Sequence, residues 1–176
     1  MAARGEAVSQ HYPAVSASGR WVGYAAASTA WAFAVVSIYW GLGGTAGLGT
    51  LGGEIEARAK ARDPLLMGLN WVAVALKLAG GCFALMLVRR CGLSPGRLLV
   101  MLGWTASLVL ILYGGTQTLV VLLVLVGVLD PVTTVDPVVL RWRLLLWEPW
   151  FLLWGVLLVG TVRGARRSAR AASPRP

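Results

Sequence analysis

Four apolar runs, each long enough to cross a bilayer, constrain this chain more than any other feature. In hydrocarbon each backbone N–H and C=O has to be satisfied within the protein, so such runs fold as helices. Of 176 residues 57% are hydrophobic and 13% charged, too apolar a balance for a soluble domain. The predicted fold is all-α: a four-helix transmembrane bundle over residues 21–163, preceded by a polar tail (1–20) and followed by a basic, disordered tail (164–176). The first run is long and rich in Trp, which predicts a retained anchor and not a cleaved leader.

The punctuation sets the spans at about 22–42, 64–88, 95–122 and 139–162. Trp21 and the Tyr39-Trp40 pair stand at the two ends of the first, where interfacial aromatics belong. Asp63-Pro64 opens the second, an N-cap followed by proline at the first helical position. Ser94-Pro95 opens the third, which stays apolar to Leu129, roughly 50 Å of helix against a core of about 30 Å. Gly114-Gly115 and Thr116-Gln117-Thr118 interrupt it, predicting a long helix that kinks, tilts or protrudes. The triplet Asp-Pro-Val occurs at 130–132 and again at 136–138, and its second copy starts the last helix.

The formal charge of +9 lies at the ends of the apolar runs, which argues for orientation and anionic lipid and against nucleic acid. With the N-terminus inside, ten bases are cytoplasmic: Arg4, Arg20, Arg89, Arg90, Arg97, Arg163, Arg166, Arg167, Arg170 and Arg175. Five are outside: Arg58, Lys60, Arg62, Arg141 and Arg143. Both termini are therefore expected in the cytoplasm of a bacterium, in its plasma membrane. Arginine outnumbers lysine 14 to 2, which points to a GC-rich genome.

Ionisable residues inside spans carry the best lead to function, because each is costly there. Asn70, Val74, Lys77 and Gly81 share one helical stripe; Arg141, Glu148 and Gly155 share another; Tyr113 and Gln117 lie four apart. With Tyr39, Trp40 and Trp150 these polar groups predict a pocket in the outer half of the bilayer, floored by Lys77. Glu148 is the candidate general acid, with Lys77 as its charge partner. The structural alternative is a pair that fastens two helices, or a lysine that snorkels. Arg141 is the nearer alternative partner for Glu148, as Asn70 is for Lys77.

Other features are bland. The glycines between Gly41 and Gly53 lack the Gly-Lys-Ser/Thr of a phosphate loop and predict a turn or close backbone packing. His11, the single histidine, lies in the N-terminal tail, so a haem or zinc centre is not expected, and no other cofactor is implied. Cys82 and Cys91 have no metal or redox spacing. Gly103 with Ser107, and Gly80-Gly81, are small-residue sites for close helix approach.

Ser37-Ile38-Tyr39-Trp40-Gly41-Leu42-Gly43-Gly44, Arg141-Trp142-Arg143 and Trp147-Glu148-Pro149-Trp150-Phe151 together resemble the actinobacterial four-helix membrane proteins of the DUF3995 family, over Trp21 to Val162. The resemblance implies a four-helix membrane fold and no set activity. Family members often carry a histidine just ahead of the Tyr-Trp pair, where this chain has Ser37. Three functions fit the sequence: binding of a small or lipidic molecule, an intramembrane isomerase or terpene-cyclase-type reaction with Glu148 as acid, and an accessory role in a membrane complex. Four helices with no inverted repeat argue against a transporter.

Overall fold

The computed structural model describes residues 17–89, 96–130 and 136–172, and among these all regular structure is helical. Helix α1 spans Ala17–Gly41, α2 Gly53–Lys60, α3 Pro64–Arg89, α4 Arg97–Leu125, α5 Pro137–Trp142 and α6 Glu148–Ala172. A π-helical turn, Arg143–Trp147, joins α5 to α6 into one continuous rod. Four of these units are long and apolar enough to cross a bilayer. This is the expected four-helix transmembrane bundle.

The start signals act as read. The Asp63 carboxylate accepts from Leu66 N at 2.9 Å, and Asp136 accepts from Val138 N at 2.8 Å, each ahead of a proline. Ser94-Pro95 lies outside the described residues, and α4 is described from Arg97 with Gly96 before it. Its far end is a Schellman stop: Gly127, at φ 75°, donates to Val124 O while Val128 N donates to Leu123 O. The helix runs unbroken through Gly114-Gly115, and Thr118 Oγ1 returns a hydrogen bond to Gly114 O at 2.6 Å. Twenty-nine residues give α4 about 44 Å of length, so it tilts or protrudes.

Two stretches differ from expectation. Between the first two spans, where the sequence pattern places no helix, the chain forms α2, held by Glu54–Arg58 and Glu56–Lys60 pairs four residues apart. The tail expected to be disordered from Gly164 continues α6 to Ala172, with Ala165 buried and Ser168 bonded to Gly164 O. Alanine and arginine are strong helix formers, and the first turn of that tail still packs. The glycine-rich link packs as predicted: a Cβ on Gly52 would meet Val139 at 2.5 Å.

Packing follows a stripe of small residues. On α1, Gly23, Ala27, Ala30, Ala34, Ser37 and Gly41 recur at alternating steps of four and three and are buried. They face the matching stripe on α3, so that Gly23 lies against Val88 and Gly41 against Asn70 and Trp71. Helix α6 packs on the other side of α1 and against α4. Helices α3 and α4 do not pack backbone to backbone and meet through side chains such as Phe83 beside Gly103, so the spatial order is α3, α1, α6, α4.

The α4–α6 contact depends on glycine at Gly114, where a Cβ would lie 2.5 Å from Leu152 N, while nothing lies within 4 Å of a Cβ at Gly115. Gly114→Ala is therefore expected to destabilise by about 1–3 kcal/mol. Gly115→Ala should stabilise by about 0.5–1 kcal/mol through helix propensity. Thermal unfolding in detergent distinguishes the two, and equal midpoints would contradict this packing.

Candidate functional site

The seam between α1 and α3 carries the first polar group. Lys77, 7% exposed, directs Nζ away from lipid and donates to Ser37 Oγ at 2.6 Å. The same nitrogen stands 3.9 Å above the Phe33 ring centroid, a cation–π arrangement that strengthens when desolvated. Two turns away Asn70 Nδ2 donates to Ser37 O at 2.8 Å. The predicted α3 stripe thus faces inward, and both polar members converge on one serine.

Glu148 has a different partner from the one its helical period suggests. Arg143 holds its Oε1 through Nε at 3.0 Å and Nη2 at 2.7 Å, while Arg141 is exposed. The cause is the π turn, in which Glu148 N also reaches back to Arg143 O. Pro149 has no N–H to return to Leu145, and widening the turn by one residue accommodates that loss. The inserted residue shifts the register, so position 143 replaces 141 beneath Glu148. Lys77 and Glu148 do not pair, and Glu148 is engaged as an acceptor in a clamp.

The nine residues expected to share an outer pocket are dispersed over several environments. Tyr39 and Trp40 line a crevice of about 530 Å³ with Trp142 and Trp147, near the α1–α2 link. Trp150 donates to Thr29 O at 3.1 Å and packs on Phe33. Tyr113 sets its ring edge against Phe151 at 5.0 Å, within electrostatic reach of Glu148 and Arg143. Gln117 lies half-buried one turn along α4. Phe33 connects several of these groups, since Trp147, Trp150 and Phe151 all pack around it under Lys77.

A second recess is one the polar pattern did not indicate. Where the backbones of α3 and α4 stay apart, a groove of about 440 Å³ opens, within the size range of ligand pockets. Leu76, Lys77 and Phe83 form one wall, Ala106 and Val109 the other, and Phe151 and Trp154 of α6 the floor. Lys77 is the one charged residue on a lining that is otherwise apolar. Trp154, 6% exposed, presents its ring, while its Nε1 is buried without a hydrogen-bond partner and closed off from the recess. A small-residue signal is the trace in the sequence: Gly80 admits the Trp154 ring, which a Cβ there would meet at 2.5 Å. Among the described residues no three His, Cys, Asp or Glu side chains gather as a metal site.

A family model described as "Protein of unknown function (DUF3995)" matches residues 30–158. The chain belongs to the DUF3995 family. That DUF3995 match spans the Lys77 seam, the Glu148 clamp and the whole groove, and stops before the arginines at 163–170. No curated protein and no solved structure matches the chain.

The clamp of this DUF3995 protein makes a sharp demand on stability. Arg143→Ala leaves Glu148 buried without its cation and is expected to cost on the order of 3 kcal/mol. Arg143→Met combined with Glu148→Gln should recover much of that loss. A double variant as unstable as the sum of its singles, measured by unfolding in detergent, would contradict the clamp.

Proposed function

We propose that this membrane protein binds a lipophilic molecule in the lateral groove between α3 and α4. The observation that carries the reading is the recess itself: about 440 Å³ between α3 and α4, lined by Leu76, Phe83, Val109, Phe151 and Trp154 and apolar over almost all of its lining. The ligand class is therefore an apolar molecule entering sideways from the bilayer. This groove, and not the polar residues of the outer half, is the proposed binding site.

Two variants test this. Val109→Trp fills the groove from the α4 wall and Leu76→Trp from the α3 wall, both at exposed positions. Native mass spectrometry of protein extracted in mild detergent should show a copurifying lipophile in the wild type. It should be absent from both variants. Equal occupancy in all three proteins would overturn the reading.

The balance of lysine and arginine supports a bacterial plasma-membrane location with both ends cytoplasmic. In a cysteine-free background, Ala57→Cys on α2 is expected to react with an impermeant maleimide on intact cells. Ser168→Cys on α6 should react only after lysis. The opposite pattern would invert the topology.

A further inference from the structure

We infer that the basic end of α6 and Trp104 of α4 form a binding site for the headgroup of an anionic lipid that carries two phosphates. Arg163, Arg166, Arg167 and Arg170 recur at steps of three, one and three, which places four guanidinium groups on one face over about 10 Å of helix. They and Trp104 enclose a recess of about 340 Å³, and among the described residues no carboxylate lines it. Like charges one turn apart repel, so this face is stabilised by a counter-anion. The site is distinct from the groove, since none of its residues lines the groove.

The geometry favours a lipid over a soluble anion. Arg163 follows the buried Val162 at the point where α6 turns from apolar to basic, so the cluster starts where the bilayer core ends. Trp104 belongs to the same level: the Arg163 guanidinium stands 5.5 Å from its ring centroid, a cation–π contact that pins the first arginine at the interface. Guanidinium groups bind phosphate oxygens in pairs, and four of them match two phosphates better than one. The α6 helix beyond Val162 is then ordered in the membrane by the headgroup that it holds.

The test uses the full chain in detergent, titrated with tetraoleoyl cardiolipin, with dioleoyl phosphatidylglycerol at matched charge, and with inorganic pyrophosphate. Native mass spectrometry is expected to show one tightly held cardiolipin. The doubly substituted Arg166→Gln/Arg167→Gln protein should bind it roughly 30-fold more weakly, from the usual contribution of a basic side chain near an anionic headgroup. Both arginines are exposed, so its unfolding midpoint should match the wild type. The control Arg58→Gln/Arg141→Gln removes the same charge elsewhere and should bind as the wild type does. Equal weakening in that control would reduce the effect to net charge and overturn the site. Equal affinity for phosphatidylglycerol would overturn the two-phosphate headgroup, and displacement of the lipid by equimolar pyrophosphate would assign the site to a soluble anion.

Discussion

A lysine halfway along a membrane helix needs polar company inside the protein, and Lys77 finds it on α1. Its Nζ reaches the Ser37 hydroxyl and the face of Phe33, and Asn70 adds a second bond to the same serine's carbonyl. Lipid offers no hydrophobic drive for helices to associate, so such contacts and close packing decide which helices pair. Here they bind α3 to α1. The small-residue stripe from Gly23 to Gly41 lets the two backbones approach closely enough for a lysine to reach across.

The rest of the architecture is a consequence of that commitment. With α3 held on α1, α4 has its own contact with α6, made through Gly114, Gly155 and Gly103. Two packed pairs share the α1–α6 boundary, and the backbones of their outer members stay apart. The groove is the space between those outer helices, and Trp154 on α6 is its floor. Phe33 ties the two features together, because it carries Lys77 on one side and packs against Phe151, which lines the groove.

Much of this fold was legible because membrane helices have strong local grammar. The Asp63-Pro64 and Asp136-Pro137 starts and the inward stripe of Asn70 and Lys77 follow from capping and helical period alone. The site was less legible. Pro149 imposes a π turn that breaks the period on which the Arg141–Glu148 pairing rested, and only an i to i+5 spacing brings Arg143 under Glu148. The groove is a matter of which helix backbones do not pack together, and no residue spacing reports that. The heptad of Gly, Ala and Ser on α1 did carry the signal for the α1–α3 pairing, written in small residues and not in charges. Gly127 likewise marks the end of α4, hidden in an apolar run that continues past it.

The central claim is that Lys77 and Ser37 act as one unit that fastens α3 to α1. A double-mutant cycle on unfolding in detergent, with Lys77→Met, Ser37→Ala and both together, measures this most directly. The account predicts strong non-additivity, with a coupling of about 0.5–3 kcal/mol between the two positions. Strictly additive losses would show that the lysine and the serine stabilise the protein independently, and would contradict the seam on which the groove depends.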